Sequence, residues 1–190
     1  MNAVGWGLVA LAVVALLIVA SYNRFVRQRN LVEESWRQVD VELRRRYDLI
    51  PNLVETVKAY AAHERATLEA VVAARANAAA PATSRTAQGE DETALTRSLR
   101  GLLAVAEGYP QLKADQHFRM LQEQLAETED RIAAIRRFYN ANVRALNTRV
   151  DTVPSSVIAA TFGFRKAEYF EVEELAVRAP VRTDFTPPTP

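Results

Sequence analysis

Residues 3–20 read AVGWGLVALAVVALLIVA, and the first charged side chain of the protein is Arg24. An α-helix rises about 1.5 Å per residue, so about twenty apolar residues cross a hydrocarbon core of roughly 30 Å. Such a helix also satisfies its own backbone hydrogen bonds, which lipid cannot do. The sequence therefore predicts an uncleaved transmembrane anchor over residues 1–22, followed by a soluble region that starts at the bilayer surface.

A cleaved secretory signal and a buried core helix are the two alternative interpretations of this segment. Signal peptides usually begin with basic residues and end at a small-residue cleavage site. Here Met1 and Asn2 carry no basic side chain, and no A-x-A-like site precedes a suitable mature start. Both features favour the uncleaved anchor.

The orientation of the anchor follows from the charges on its two sides. Arg24, Arg27 and Arg29 follow the apolar segment directly, whereas no basic side chain precedes it. Positively charged flanks are retained on the cytoplasmic side of a membrane. We therefore expect a single pass through a bacterial inner membrane, with a short N-terminus outside and the rest of the chain in the cytoplasm. The three arginines are also placed to contact anionic lipid headgroups.

The composition excludes several classes of partner and site. The 190 residues include 24 Lys and Arg against 23 Asp and Glu, so the formal net charge is only +1. This balance argues against nucleic acid as a partner. The chain has no cysteine and two histidines, which excludes disulfides, thiolate ligands and cysteine nucleophiles and leaves little for a nitrogen-rich metal site. No cofactor is expected.

Prolines divide the soluble region into long stretches rich in Ala, Leu, Arg, Glu and Gln, which favour helix. The sequence predicts an all-α fold with a bundle over residues 23–172. A Pro-rich tail over residues 173–190 is expected to be disordered. The predicted helices are 22–49 (continuous with the anchor), 51–78, 93–107, 116–152 and a short piece over 154–161, with a loop at 79–92 and a turn at 108–110.

Two apolar stripes predict which helix faces are buried. The stripe of the fourth helix repeats as heptads with one extra residue between Tyr139 and Val143, a coiled-coil-like pattern that requires packing against other helices. Its members are Phe118, Leu121, Leu125, Thr128, Ile132, Ile135, Tyr139, Val143, Leu146, Val150 and Val153. The earlier stripe consists of Trp36, Val39, Leu43, Tyr47, Ile50, Val54, Val57, Ala61, Leu68 and Val71.

The earlier stripe keeps its phase across Pro51, and this leaves two architectures open. Ile50 precedes a proline and is therefore biased away from the α-helical region. If the chain reverses here, Pro51 begins a second helix and the soluble part is an antiparallel four-helix bundle, which we favour. If Pro51 only kinks the chain, the protein has three long helices and the first is kinked at Pro51.

Common catalytic patterns are absent from the sequence. His63-Glu64 begins like a zinc protease motif, but Thr67 occupies the position of the second histidine. No Glu-x-x-His pair, P-loop, dinucleotide-binding loop or nucleophile elbow is found. The paired carboxylates Glu33/Glu34 and Glu127/Glu129/Asp130 are interpreted as solvated helix faces. The sequence therefore predicts that the protein is not an enzyme.

Two polar clusters stand out against this background. Residues 44–46 are three adjacent arginines that point in three directions around a helix, so at least one must approach the core and needs partners. Asp48, Asn52 or a carboxylate of the fourth helix could supply them. Asn140, Asn142 and Asn147 sit beside Tyr139 in a helix that asparagine does not favour. We interpret both clusters as internal polar clamps, with a docking surface as the alternative; the candidate residues are Arg44, Arg45, Arg46, Tyr47, Asp48, Pro51, Asn52, Tyr139, Asn140 and Asn147.

Aromatic residues follow the last predicted helix in two groups. These groups are Phe162-Gly163-Phe164 and Tyr169-Phe170. We expect them to fold back as a cap on one end of the bundle. An exposed, partner-binding patch is the alternative.

Together these segments resemble the LemA family over about residues 20–171. The resemblance implies an extracellular N-terminus and a cytoplasmic helical bundle, with no established activity and no catalytic residues to transfer. Genes of the family often lie near those of membrane proteases and related membrane proteins, which suggests an accessory or scaffolding role. The residues that carry the resemblance are Tyr22-Asn23, RRRYDLIPNLVETVKAYAAHE (44–64), AEGYPQLKAD (106–115), FRMLQEQLAETEDRI (118–132), RRFYNANVRALN (136–147) and PSSVIAATFGF (154–164).

Three functional hypotheses follow. The first is a membrane-anchored interaction module, a scaffold or accessory protein that assists membrane proteases or other membrane proteins. Its partners would be the lipid bilayer and either a membrane protein or a second copy of the chain. The second hypothesis is a self-assembling structural element, motivated by the Ala-rich stretch from Ala61 to Ala80. The third is an enzyme with a carboxylate, Arg and Tyr site built from the two polar clusters.

Overall fold

The computed structural model describes residues 2–172, and in this range every regular element is an α-helix. The all-α prediction is therefore confirmed for the described part of the chain. The predicted tail over residues 173–190 lies outside the described residues. The helices are α1 (Ala3–Tyr60), α2 (Arg65–Ala79), α3 (Arg85–Glu107), α4 (Pro110–Ala114), α5 (Gln116–Asp151) and α6 (Ser155–Phe162).

The N-terminal segment is helical, apolar and bare of protein contacts. Within α1, the most apolar window has a mean hydropathy of 2.2, and 0% of it is buried by the rest of the protein. Large side chains such as Trp6, Leu11 and Leu16 are more than 60% exposed. α1 is the one helix among residues 2–172 that is long and apolar enough to cross a membrane.

Pro51 does not reverse the chain, and the favoured prediction of a helix start there is wrong. α1 runs without interruption for 58 residues and contains Pro51. This agrees with the alternative architecture, in which the first helix is long and includes Pro51. The reversal comes at residues 61–64, between α1 and α2. It falls about three turns later than predicted.

The tolerance of Pro51 within the helix has a local cause. Proline has no N–H, so the carbonyl four residues earlier, that of Tyr47, loses its helical partner. Arg75 of α2 replaces this partner, because its Nε donates a hydrogen bond of 2.7 Å to the Tyr47 oxygen. Pro51 itself faces solvent.

This arrangement predicts a specific rescue. Arg75→Met should lower the free energy of unfolding by about 1–3 kcal/mol, because it leaves the Tyr47 carbonyl unpaired. Adding Pro51→Ala should restore most of the loss, because alanine at this position supplies the missing N–H. Urea unfolding of the detergent-solubilised chain measures both effects, and Arg65→Met, at an exposed arginine of α2, is the matched control. Failure of the second substitution to rescue the first would contradict this explanation.

α1, α2, α3 and α5 pack as an antiparallel four-helix bundle. α5 runs back along α1: Tyr60 donates a hydrogen bond of 3.1 Å to Asp115 at one end, and Arg149 lies over the Phe25 ring at the other. α2 and α3 form a hairpin that covers the half of α1 far from the apolar segment. From residue 22 to residue 60, α1 is about 58 Å long.

Both predicted stripes are largely buried in the core. On α5, eight members of the stripe from Phe118 to Leu146 are buried, and Ile135 and Val150 are partly buried. Val153 is 77% exposed, because α5 ends at Asp151 before the stripe does. The earlier stripe is buried on both sides of Pro51 and through Val71, except for Trp36, which is partly buried.

Several helix boundaries differ from those predicted. α3 begins at Arg85 rather than near Thr93, and Ser84 caps it by accepting a hydrogen bond of 3.0 Å from the Ala87 N–H. Part of the predicted loop at 79–92 is therefore helical. α5 begins as predicted after Asp115, whose Oδ1 accepts a 2.8 Å hydrogen bond from the Phe118 N–H. This bond lowers the pKa of Asp115.

After α6 the chain turns back along the bundle. Gly163 has φ 72°, a left-handed conformation that glycine adopts without strain. The following residues, Phe164–Val172, are named here the return segment, and they lie in the groove beside α1 and α5. Phe164 stacks on Phe25 at 4.7 Å between ring centroids, and Phe170 is fully buried against Trp36. The predicted fold-back is therefore observed, although the segment lines the side of the bundle as well as its end.

Candidate functional site

Arg46 lies at the centre of the bundle with none of its surface exposed. Its Nη2 pairs with the carboxylate of Glu92 on α3, and its Nη1 lies 2.8 Å from Oε1 of Glu129 on α5. Nη1 also lies 3.4 Å from the Thr96 hydroxyl. Since burial of an isolated charge is costly, this pairing is what allows the guanidinium to remain in the core.

The second oxygen of Glu92 is held by neutral donors. The Tyr47 hydroxyl contacts Oε1 of Glu92, and Nε2 of Gln88 donates to the same oxygen at 2.9 Å. The Tyr47 hydroxyl also lies 2.9 Å from the Ala78 carbonyl at the end of α2. Burial raises the pKa of Tyr47 to about 12, so the phenol stays protonated and acts as a donor at neutral pH. The cluster thus links α1, α2, α3 and α5.

Of the residues predicted for the first cluster, Arg46 and Tyr47 are buried in it. The others are exposed on α1, and Arg44 forms an ion pair with Asp40 four residues earlier. The expected carboxylate from the fourth helix is present as Glu129, so its interpretation as part of a solvated face was wrong. The exposed members of the predicted set are Arg44, Arg45, Asp48, Pro51 and Asn52.

Sequence reasoning missed the partners on α3. Gln88, Glu92 and Thr96 are spaced by four residues and therefore share one helix face. Gln88 and Glu92 fall within the predicted loop at 79–92, whereas Thr96 lies in the predicted helix at 93–107. Their shared face exists only because α3 begins at Arg85. The N-cap Ser84 was the signal that could have placed the start of α3 correctly.

The second cluster holds the return segment against α5. The Asn147 side chain donates to the Ala167 carbonyl at 3.0 Å and accepts from the Ala167 N–H at 2.8 Å. Asn140 makes the same pair of bonds with Phe170, at 2.9 and 3.0 Å. We name these two residues the asparagine clamp. The network therefore links α5 to the extended return segment rather than to another helix.

Tyr139 reinforces the clamp from the neighbouring position. Its hydroxyl donates a 2.8 Å hydrogen bond to the Glu168 carbonyl, and its ring meets Trp36 edge-on. Burial raises the pKa of Tyr139. Asn142 takes no part, because its buried Nδ2 has no hydrogen-bond partner within residues 2–172.

Gly89 lets the return segment approach α3. A Cβ atom at this position would overlap the carbonyl oxygen of Glu171. We therefore predict that Gly89→Ala displaces the end of the return segment and destabilises the protein by about 1–3 kcal/mol. Gly101→Ala on the same helix is the control, since the nearest atom there lies 3.9 Å away.

At Gly101 alanine should be stabilising by about 0.5–1 kcal/mol, because glycine is the poorer helix former. Thermal unfolding monitored by circular dichroism measures both variants. Equal effects at the two glycines would show that the close approach to Glu171 is unimportant.

The arginines expected to set the topology are all exposed on α1. Arg24, Arg27 and Arg29 directly follow the bare apolar segment. Arg29 lies over the Phe164 ring, with 5.9 Å between the guanidinium carbon and the ring centroid. His63 and His117 are exposed as well. Among residues 2–172, no three His, Asp or Glu side chains are grouped so that they could hold a metal ion.

The chain is similar to curated proteins over part of its length. It is 36% identical over 86 residues to the magnetosome proteins MamQ 1 and MamQ 2 of Paramagnetospirillum magneticum. It is 31% identical over 86 residues to magnetosome protein MamQ of Magnetospirillum gryphiswaldense. Each alignment covers 45% of this chain but only 31% of the relative, so the chain spans less than a third of these proteins.

A broader match comes from comparison with protein families. Residues 35–185 match the model of the LemA family. The match includes the Arg46 cluster, α2–α6, the asparagine clamp and the return segment. With most of its length matched, the chain belongs to the LemA family.

Proposed function

We propose that the protein is a membrane-tethered interaction module, a scaffold that holds a helical bundle at a bilayer surface for a membrane-protein partner. In this proposal residues 1–22 are the anchor, with a short N-terminus outside and residues 23–172 in the cytoplasm. The observation that carries it is the continuity of α1, which passes from a bare apolar segment into the bundle core without a hinge.

A continuous helix has a mechanical consequence. It couples the bundle to the anchor, so the bundle extends about 58 Å from the membrane along α1. Confinement to the bilayer also raises the effective concentration of the bundle for other membrane proteins. Both properties suit an adaptor between a membrane and a partner.

The two polar clusters support a function without catalysis. Arg46 and Tyr139 motivated the enzyme hypothesis, but the Nη atoms of Arg46 pair with carboxylates and the Tyr139 hydroxyl binds a carbonyl of the return segment. These groups are engaged in holding the bundle and the return segment together. Similarity to proteins named for the magnetosome also favours a structural role, although it covers 45% of the chain.

The proposal can be tested at an exposed apolar part of the bundle. At the end far from the anchor, α1 and α2 enclose a cleft of about 860 Å³ lined by Val54, Leu68 and Val72. Val72 is 52% exposed. A photo-crosslinking residue at Val72 in native membranes should yield one discrete adduct with a membrane protein. The same residue at exposed Met120 is the control, and an uncrosslinked monomer at both sites would contradict the proposal.

The orientation has its own test. A reporter that is active only in the cytoplasm, fused after Pro190, should be active. A reporter that is active only after export should be silent at the same position. The opposite pattern would place the bundle outside and would refute the orientation while leaving the anchor itself untouched.

Self-assembly is the second candidate function. It is favoured by the outer side of α2, where small side chains leave a smooth surface open to a second copy. Sedimentation of the detergent-solubilised chain should show oligomers at micromolar concentration if this function is correct, and a monomer would exclude it. The exposed small residues of this side are Ala66, Ala70, Ala73 and Ala76.

A further inference from the structure

The bundle contains an arginine-lined cleft at the end next to the anchor. The cleft has a volume of about 980 Å³ and runs beside α1 and α5 from the anchor end to the return segment. At the anchor end it lies between Arg24 and Gln28 on one side and Arg144, Thr148 and Arg149 on the other. All of these side chains are hydrogen-bond donors. We name this part of the cleft the arginine cleft.

The only carboxylate that lines the described cleft lies at its far end. This is Glu171 of the return segment, next to Phe170 and the clamp residue Asn140. Asn140 precedes Thr148 by eight residues on α5, a separation of about 12 Å along the helix. Arg149, one residue further towards the anchor, is therefore distant from this carboxylate.

The arginine cleft gathers positive charge without a protein counterion. Among residues 2–172, no carboxylate lies within ion-pair distance of Arg24, Arg144 or Arg149. Nε of Arg149 is buried and has no hydrogen-bond partner in the same range. Burial, followed by repulsion from Arg24, lowers the pKa of Arg149. An anion bound here would satisfy the buried donor and relieve the repulsion.

If the proposed anchor is correct, the arginine cleft lies at the same distance from the hydrocarbon core as the lipid headgroups. Arg24 follows the last apolar residue, Ala20, by four positions, or about 6 Å along the helix. Headgroups occupy roughly 5–8 Å on each side of the hydrocarbon core. Arg149 lies opposite at the same level, because its guanidinium lies over the Phe25 ring.

Apolar side chains at the same end of the bundle support this placement. Val157 and Phe162 on α6 are 64% and 51% exposed, and Val153 is 77% exposed. Phe162 meets Tyr22 edge-on at 5.0 Å, directly after the anchor. An apolar surface beside interfacial aromatic rings is typical of protein that rests on a bilayer.

We propose that the arginine cleft binds the phosphate group of an anionic phospholipid from the leaflet that the bundle faces. Guanidinium groups bind phosphate oxygens with paired hydrogen bonds, and Gln28 and Thr148 supply further donors. The same chemistry would also accept soluble phosphate. The lipid is the favoured source, because the cleft lies at headgroup depth and a lipid is present there at high local concentration.

The test measures binding of fluorescently labelled phosphatidylglycerol to the full chain in non-ionic detergent, by fluorescence anisotropy. Arg24→Gln and Arg149→Gln should each raise Kd about fivefold, the effect expected for one arginine near an anionic headgroup. Arg119→Gln, at an exposed arginine of α5 far from the anchor, should leave Kd unchanged. Arg149→Lys keeps the charge and should lose less affinity than Arg149→Gln.

Arg24 is exposed, so its replacement should not disturb folding, and circular dichroism verifies this for each variant. Unlabelled phosphatidylglycerol should displace the probe, whereas phosphatidylcholine and inorganic phosphate should not. Equal Kd values for Arg24→Gln and Arg119→Gln would overturn the proposal, and so would displacement by equimolar inorganic phosphate. Lipid binding in detergent requires no protein partner and no defined orientation in a membrane. The result is therefore independent of the crosslinking and reporter tests.

Discussion

Replacement of Arg46 by alanine is expected to lower the free energy of unfolding by about 3–5 kcal/mol. The guanidinium is fully buried between the carboxylates of Glu92 and Glu129, which belong to two different helices. Without it, both carboxylates would remain in the core with no positive partner. Urea unfolding of the detergent-solubilised chain, followed by far-ultraviolet circular dichroism, measures the loss.

The neighbouring arginine provides a matched control. Arg45 is also an arginine of α1, but its side chain is exposed. Arg45→Ala should therefore change stability by no more than about 0.5 kcal/mol. If Arg45→Ala and Arg46→Ala have equal effects, the buried cluster does not stabilise the bundle as we expect.

A further variant separates stability from specificity. Replacement of Arg46, Glu92 and Glu129 together by apolar residues removes all three buried charges at once. Buried ion clusters replaced in this way often leave stability unchanged or improved. The triple variant should therefore be more stable than Arg46→Ala alone. Our proposal that the cluster acts as a clamp requires in addition that the triple variant pack less uniquely, which broadened thermal unfolding would reveal.

The sequence predicted those features that depend on local periodicity. The stripe of α5 identified its buried face, and the start of α5 after Asp115 and the short helix after Pro154 were also predicted correctly. The prediction that at least one of the three arginines is buried was correct for the same reason. Three consecutive arginines cannot all avoid a helix face that the stripe places in the core. Of the three suggested partners, Asp48, Asn52 and a carboxylate of the fourth helix, the structure has the last, Glu129.

The features that were not predicted depend on contacts between residues far apart in the chain. Pro51 breaks most helices, but here Arg75 satisfies the carbonyl that the proline leaves free. Gly89 suggested a loop, yet it lies within α3, where the absence of a Cβ atom makes room for the Glu171 carbonyl. In each case the local sequence does not reveal the distant residue that contacts the position.

The asparagine clamp leads to the second large expected effect. Asn140 and Asn147 are separated by two helical turns, about 10.5 Å along α5. Ala167 and Phe170 are separated by three extended residues, about 10 Å. The equal spacings allow each side-chain amide to pair with the N–H and carbonyl of one residue, much as a neighbouring strand would.

The double variant Asn140→Ala, Asn147→Ala should release the return segment. It removes four hydrogen bonds worth about 1 kcal/mol each, so the local opening free energy should fall by about 4 kcal/mol. Hydrogen exchange at the Ala167 and Phe170 amides should then accelerate about a thousandfold. Tryptic cleavage at Arg165 and Lys166, which are already exposed, should accelerate as well.

Asn142 on the same helix is the control for this experiment. Its buried Nδ2 has no partner among the residues that the structure describes, so Asn142→Ala should leave exchange in the return segment unchanged. Asn140→Asp is more discriminating, because it retains the acceptor for the Phe170 N–H and loses only the donor. It should therefore accelerate exchange less than Asn140→Ala does. Full protection of both amides in the double variant would mean that the remaining contacts, namely the packing of Phe164 and Phe170 and the Tyr139 hydrogen bond, hold the segment without the asparagine clamp.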